Sequence, residues 1–313
     1  MRVVVTGGAG FIGANVCREL AAKHAVTEVV AYDDLSSGAA ANLDGVEAEL
    51  VEATILDPAS LADACQGAAA IIHLAARPSV PKSLLDPFAS HDVNATGTVR
   101  VLEAARVVGA HVLVASSSSV YGATQELPKH EQLPTRPMSP YAASKLAAEA
   151  YALAYGESFG LPVLAFRFFN VYGPLQSAGH AYAAVVPAFV EAALAGRPVT
   201  IYGDGRQTRD FTYVGTVARI ITDAVLRRVT SAQPVNLAFG TRIDLLELVG
   251  HIGTAVGSPV GVTHEPARIG DVRDSQAAHD ALRALFPDVA PVSLEEGLAN
   301  TVGWFRESAA PAL

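Results

Sequence analysis

Over the first half of the chain, short apolar runs alternate with longer segments whose apolar residues recur every three or four positions. The runs are Arg2 to Val5, Glu28 to Tyr32, Glu49 to Glu52, Ala70 to Leu74, His111 to Ala115 and Val163 to Phe168. Their brevity and their β-branched content predict strands. Between them, Phe11 to Lys23, Pro58 to Gln66, Pro87 to Val108 and a segment opening at Ser139-Pro140 predict helices. Ser139 suits the N-cap of the last and Pro140 its first turn. Strand and helix in alternation predict an α/β fold, a doubly wound parallel sheet with helices on both faces. After Phe168 the alternation loosens. Ala183 to Ala195 reads as a helix, Val199 to Tyr202 as a short run, and Glu295 to Arg306 as a closing helix in which Trp304 packs. The expected organisation is a first domain, 1–170, and a smaller C-terminal lobe, 171–313, over the carboxyl edge of the sheet. Val235 to Phe239 reads as a strand again, so about 211–240 is expected to return to the first domain.

The chemistry concentrates at strand ends. RVVVTGGAGFIG at 2–13 is a strand, a glycine turn and a helix start. There Gly7 allows the sharp turn, Gly10 removes a Cβ that would meet a phosphate, and Gly13 lets the helix close on the sheet. An anion would rest on the free N–H groups at the helix N-terminus. Such turns also occur for structural reasons alone, but this one directly follows a strand, as the Rossmann-type dinucleotide motif requires. Asp33 lies 20 residues after Gly13. A carboxylate at that strand end accepts from both ribose hydroxyls and repels a 2′-phosphate, which favours NAD over NADP; a solvated Asp is the bland alternative. Ser116, Ser117, Ser118 and Ser119 follow another strand at the edge where ligands bind, although a serine-rich loop would look the same. Tyr141 and Lys145 form the chain's single Tyr-x-x-x-Lys. At i, i+4 they share a helix face, and a cation beside the phenol favours phenolate, bringing Tyr141 closer to acid and base work at neutral pH. Alone, the spacing equally fits an exposed pair. After a dinucleotide turn and a serine-bearing strand end, it is the strongest chemical signal in the chain.

Composition narrows the setting. The chain has 313 residues, half of them hydrophobic, and a formal net charge of −9 without a long run of like charge, so neither nucleic acid nor an anionic membrane is an expected partner. Cys17 and Cys65, the two cysteines, lack metal or redox spacing, and the nine histidines lack ligand spacing, so no metal and no disulfide framework are expected. No 18-residue apolar run occurs and the first residues already read as a strand, which predicts a soluble, unprocessed, cytoplasmic protein. His73, at a strand end, reads as packing.

A series of segments in order resembles the extended short-chain dehydrogenase/reductases, specifically the nucleotide-sugar epimerases and dehydratases. They are TGGAGFIG at 6–13, YDDLSSG at 32–38, HLAA at 73–76, VNATGT at 93–98, SSSVYG at 117–122, SPYAASK at 139–145, RFFNVYGP at 167–174, GDGRQTRDFTYV at 203–214 and RIGDVRDS at 268–275. The resemblance implies a Rossmann domain with bound NAD, a sugar-nucleotide lobe and a homodimer built on the helices near 87–108 and 139–159. It places Gly7, Gly10 and Gly13 on the pyrophosphate with Phe11 and Ile12, Asp33 on the adenosine ribose and Lys145 on the nicotinamide ribose. Ser37, Gly38, Thr54, Ile55, Leu74, Ala75, Ala76 and Asn94 complete the cofactor set. It makes Tyr141 the acid/base and Ser117 the hydroxyl that bonds substrate O4. Ser118 and Asn170 then face the substrate, Asn170 at its diphosphate, and Arg209, Arg268 and Asp271 grip the nucleotide.

Four positions depart from relatives or discriminate among them. Related 4,6-dehydratases carry Asp and Glu directly after the catalytic hydroxyl; here Ser118 and Ser119 stand there, so elimination lacks its proton carriers. Thr54 replaces an Asp beside the adenine, which puts adenine recognition in question. Ser275 is small where a bulky residue narrows the sugar pocket, so N-acetylated sugars are expected to fit. The implied activity is NAD-dependent C4 epimerisation of a UDP-hexose, UDP-glucose/UDP-galactose with N-acetylated forms. The alternatives are a UDP-glucuronate 4-epimerase, with Arg77 and Lys82 as cations, and, less favoured, a nucleotide-sugar dehydratase or a non-catalytic NAD-binding protein.

Overall fold

The computed structural model describes residues 1–178, 184–267 and 273–309. Strands stand at the six apolar runs: β1 (Arg2–Thr6), β2 (Glu28–Asp33), β3 (Glu49–Glu52), β4 (Ala70–His73), β5 (His111–Ser117) and β6 (Val163–Phe168). Seven short ones follow: β7 (Asn170–Tyr172), β8 (Val199–Tyr202), β9 (Thr208–Arg209), β10 (Phe211–Tyr213), β11 (Val235–Leu237), β12 (Ile243–Asp244) and β13 (Val262–Glu265). The helices are α1 (Phe11–Ala21), α2 (Pro58–Ala64), α3 (Val80–Leu85), α4 (Pro87–His91), α5 (Gly97–Val108), α6 (Pro140–Phe159), α7 (Val185–Leu194), α8 (Val214–Arg227), α9 (Leu245–Val256), α10 (Asp280–Leu285) and α11 (Leu294–Ala309).

One seven-stranded sheet runs β11-β6-β5-β4-β1-β2-β3, with every neighbouring pair parallel. Its order reverses direction between β1 and β4, where Thr6 pairs with His73, and the chain leaves these two strands toward opposite sides. That parting opens the crevice in which open α/β sheets bind ligands. The period-two alternation of strand side chains divides the core. Val3, Val5, Ile72, Leu164 and Phe166 meet α1 and α8 on one face. Val4, Val30, Ile71, Val112 and Val163 meet α2, α5 and α6 on the other. A separate apolar cluster gathers Phe189 and Val190 of α7, Ile201 of β8, Leu248 and Ile252 of α9 and Leu298 and Val302 of α11.

Local chemistry sets the helix starts. Ser139 Oγ accepts from Ala142 N at 3.1 Å and Pro140 occupies the first turn of α6. Asp244 and Glu247 form a reciprocal capping box on α9. The run predicted from Pro87 to Val108 is continuous but not regular, because a π-helical stretch, Asp92–Thr96, joins α4 to α5. Apolar periodicity cannot register one inserted residue. Helix α3 was unexpected, since six residues are too few to show a period. Among the described residues, no helix is long and apolar enough to cross a membrane.

Candidate active site

A cavity of about 360 Å³ occupies the crevice, a volume suited to a small-molecule ligand. The turn after β1 and the start of α1 supply its floor through Gly7, Gly10, Phe11, Ile12 and Gly13. Helix α1 has no side-chain cap at Gly10, so its first N–H groups remain for a ligand. The two later glycines answer to different constraints. A Cβ on Gly13 would lie 2.0 Å from the Gly7 carbonyl oxygen, so the fold itself requires glycine there. A Cβ on Gly10 would meet only that oxygen, at 3.2 Å, and otherwise project into free space at the cavity wall. A fold that scarcely needs glycine at position 10, beside uncapped amides, fits a bound phosphate group.

Asp33 closes one end. Its carboxylate accepts from Ala9 N at 3.0 Å and Leu35 N at 2.8 Å, which ties the glycine turn to β2 and leaves further lone pairs for a diol. Burial pushes its pKa up against the lowering by those two amide bonds. Ser37, Ile55, Leu74, Ala75 and Ala76 also line the cavity, as the sequence implied. Gly38 instead packs beneath the loop, where a Cβ would lie 2.8 Å from Ala9. Thr54 turns inward: its Oγ1 accepts from Leu56 N at 3.3 Å and its carbonyl from the Tyr32 hydroxyl at 2.9 Å, while its neighbours Ala53 and Ile55 meet the cavity. Asn94 is buried in the π-helical stretch. Its side chain accepts from Arg77 N at 2.7 Å and donates to Ser144 Oγ at 2.9 Å, and Val93 lines the cavity beside it.

At the other end of the cavity stand Ser117, Tyr141 and Lys145. Ser117 terminates β5, and its Oγ caps the single 3-10 turn Ser118–Tyr121 by accepting from Ser119 N at 3.1 Å. Helix α6 presents Tyr141, Lys145 and Glu149 at i, i+4 and i+8 on the face turned to the sheet. The Ser117 hydroxyl acts on the Tyr141 phenol in the direction that favours its ionised form. The expected lowering of that phenol's pKa does not appear in the chain by itself. Burial raises it, and only Ser117 opposes the rise. Burial also brings Lys145 down to about 8.

Two polar networks hold these groups, and neither was read from the sequence. Glu149 accepts from Arg167 Nε at 2.9 Å, Arg167 Nη2 at 2.6 Å and Ser116 Oγ at 2.6 Å, clamping α6 to β5 and β6. The Arg167 guanidinium lies over the Tyr121 ring, 4.7 Å from its centroid. His73 does more than pack. Its Nδ1 bonds Thr6 Oγ1 at 2.7 Å and its Nε2 bonds Thr98 Oγ1 at 2.9 Å, joining the glycine-turn strand to α5. Since Thr98 donates to Asn94 O at 2.6 Å, it must accept from His73, which fixes the proton on Nε2. Burial, then the Lys145 charge, push the His73 pKa down to about 3.

Of the expected substrate residues, Asn170 and Arg209 line a second cavity of about 300 Å³, which shares Val171 and Gln176 with the first. Asn170 donates to Asp210 O at 3.1 Å, and Arg209 donates to Thr208 O at 2.9 Å and Arg273 O at 3.1 Å. The Asp210 carboxylate accepts from Gly240 N, Thr241 Oγ1 and Ala277 N at 3.0, 2.8 and 2.9 Å, and burial raises its pKa to about 6. It organises this cavity from behind; a lone Asp in a loop gave no sign of that. Ser118 lies in the 3-10 turn, and Ser275 is half-buried with its N–H on Thr208 O at 3.1 Å. Neither faces the two cavities. Arg268 and Asp271 lie outside the described residues. Arg77 points to Asp86, 3.7 Å away, and Pro78 takes the place at the cavity wall.

Comparison with known proteins agrees with this layout. Residues 3–238 match the model of the NAD dependent epimerase/dehydratase family. The chain is 41% identical over 317 residues to UDP-glucose 4-epimerase of Mycolicibacterium smegmatis, covering 98% of this chain and 99% of that one. It superposes with a TM-score of 0.92 and 34% identity on UDP-N-acetylglucosamine 4-epimerase from Methanobrevibacter ruminantium in complex with UDP-N-acetylmuramic acid, covering 98% of each. With UDP-glucose 4-epimerase of Thermus thermophilus in complex with NAD, the TM-score is 0.88 and the identity 36%, over 99% of this chain and 100% of the other.

Proposed function

This chain belongs to the NAD dependent epimerase/dehydratase family, with NAD as its cofactor, and we propose that it inverts C4 of a UDP-hexose. The observation that carries the reading is the meeting of Ser117, Tyr141 and Lys145 at one end of a cavity whose other end is the glycine cradle and Asp33. Serines at 118 and 119, where dehydratases bear carboxylates, support a reaction without elimination.

In this reading the uncapped amides of α1 hold the pyrophosphate, Asp33 the adenosine ribose and Lys145 the nicotinamide ribose. Bound there, NAD would supply the acceptor and donor for the C4 hydride. Ser117 donates to O4 and orients it toward Tyr141, whose phenolate takes the O4 proton as the carbonyl forms. Asn170 and Arg209 hold the nucleotide diphosphate in the second cavity, with Arg268 and Asp271 completing the grip. The flat 4-keto sugar turns about its diphosphate link. Tyr141 then gives the proton back to O4, so protons and electrons balance and no net oxidation occurs. UDP-glucose and UDP-galactose are the proposed pair. The likeness to an epimerase of UDP-N-acetylglucosamine supports acetylated sugars as well.

Incubation of the purified protein with UDP-galactose, UDP-N-acetylgalactosamine and UDP-glucuronate, followed by NMR of the C4 proton, tests the proposal. Inversion in none of the three would overturn it. Inversion of UDP-glucuronate alone would select the carboxylated sugar instead. We also propose a homodimer through α4, α5 and α6, whose outer side exposes Phe88 at 81%, Val107 at 73% and Phe159 at 57%. Sedimentation of wild type beside Phe88→Asp checks it, a monomeric wild type being the contrary result.

A further inference from the structure

Ser117 owns one proton and two lone-pair directions, so what its oxygen accepts decides what its proton can do. Two donors approach that oxygen. Ser119 N lies 3.1 Å away and Ser119 Oγ 2.9 Å away. The backbone donor cannot be reversed, because an amide offers only N–H. With the Ser119 hydroxyl donating as well, both accepting directions of Ser117 are filled, and its own O–H is left for the cavity, whose wall Ser117 shares with Tyr141. If Ser119 instead received the Ser117 proton, Ser117 would have none to offer the phenol, whose ionisation its hydroxyl favours.

We infer that Ser119 is a positioning residue for the acid/base: through its hydroxyl it commits the Ser117 proton to Tyr141 and substrate O4. The inference rests on the C4 epimerase reading for its kinetic consequence but not for its structural one. Local structure makes the arrangement dependable. Ser117 caps the 3-10 turn that carries Ser119, so its oxygen is held against the backbone of Ser119, within reach of that residue's hydroxyl. Ser119 is also half-buried, at the edge of the site and not in the cavity, so it acts through Ser117 alone. A serine there leaves the relay neutral. A carboxylate in its place could only accept, and would draw the Ser117 proton away from the phenol.

Ser119→Ala removes the hydroxyl while keeping the backbone N–H bond, and Ser119→Thr keeps both. In NAD-loaded protein, the ionisation of Tyr141 is followed by phenolate absorbance against pH, with Tyr141→Phe as the blank. Ser119→Ala is expected to raise the midpoint by roughly 0.5 to 1 pH unit, and Ser119→Thr to restore it. C4 inversion, measured on the same samples, is expected to fall about 3- to 10-fold in kcat with KM within twofold, the alkaline shift appearing in its pH profile too. A midpoint in Ser119→Ala equal to wild type overturns the inference. Should the wild type invert no sugar while the midpoint still moves, the positioning role stands and the epimerase reading falls.

Discussion

Gly10→Ala and Gly13→Ala add the same methyl group within one turn of chain, and the structure assigns them opposite consequences. At Gly13 the new Cβ would lie 2.0 Å from Gly7 O, 2.8 Å from Gly7 C and 2.8 Å from Gly8 Cα. All three are backbone atoms of the turn, so relief requires α1 to lift off the sheet by about 1 Å or more. Overpacking costs about 1–3 kcal/mol when side chains can yield, and a backbone obstacle belongs at or above the top of that range. At about 1.5 °C per kcal/mol for a chain of this size, Gly13→Ala should lower Tm by about 4 °C or more. At Gly10, φ is −77°, ordinary for any L-residue, and one oxygen at 3.2 Å has to yield by a few tenths of an ångström. A poorer N-cap costs about 0.5–1 kcal/mol and the stiffer unfolded chain returns about 0.4–1, so stability should hardly change. The methyl would instead stand where a phosphate approaches the amides of α1. Losing one amide bond to a charged oxygen weakens binding by about 1.5–3 kcal/mol, roughly 10- to 150-fold. Thermal melts and calorimetric titration of NAD into cofactor-stripped protein give both quantities. Wild-type NAD affinity in a folded Gly10→Ala protein, or an unchanged Tm in Gly13→Ala, would refute the reasoning.

Three further outcomes are expected. Tyr141→Phe should lower turnover by about 10²–10⁴-fold while retaining bound NAD, read as copurified cofactor and C4 inversion; full activity would remove Tyr141 from its role. Glu149→Gln leaves the Arg167 guanidinium, 3% exposed, without its counter-charge and should cost about 3–5 kcal/mol in urea denaturation, a loss under 1 kcal/mol contradicting the clamp. His73 titrates near 6.5 when unfolded and near 3 when folded, so between those values the unfolded chain binds the extra proton and stability falls as pH falls, by up to about 1.4 kcal/mol per pH unit. His73→Gln should lose that share of the slope between pH 4 and 6.5, and slopes equal to wild type would show that the imidazole is not held neutral.

The sheet was legible because its strands are short, apolar and separated by helices with a visible period; β1 to β6 fall where the runs are. The ends of the cavity were legible for another reason, since Gly7, Gly10, Gly13, Asp33, Tyr141 and Lys145 are brought to its wall by spacing along a single strand, turn or helix. What escaped were contacts between distant segments. Glu149 looks like a solvated helix carboxylate until β6 delivers Arg167 to it from 18 residues away. His73 looks like core until Thr98 of α5 and Thr6 of β1 are seen on its two nitrogens. Asp210 joins three loops, 31 and 67 residues apart in sequence from its partners Thr241 and Ala277. Asn94, which a family motif assigns to the cofactor, is held in the π-helical stretch with its amide on Arg77 and Ser144, contacts that no local spacing announces.

The phenol of Tyr141 shows what spacing along a helix cannot decide. Sequence reasoning placed a cation four residues away and concluded that the phenolate is favoured. In the folded chain Lys145 is buried and Tyr141 half-buried at the cavity wall, and desolvation acts on each against its charged form, raising the phenol and bringing Lys145 down to about 8. The nearest full carboxylate on the same helix face, Glu149, is already committed to Arg167 and Ser116 and offers Lys145 no compensation. The chain's own groups therefore hold the acid/base largely neutral, with Ser117 as the sole opposing influence among the groups that act on it. In the proposed reaction, an oxidised nicotinamide held in the cavity would add positive charge in the direction the protein lacks, lowering the phenol's pKa through a medium that burial has made weakly screening. Tyr141 would then serve as base while that charge is present and as acid once it is cancelled, and the burial that opposes ionisation in the chain alone would tie the proton at O4 to the redox state at C4.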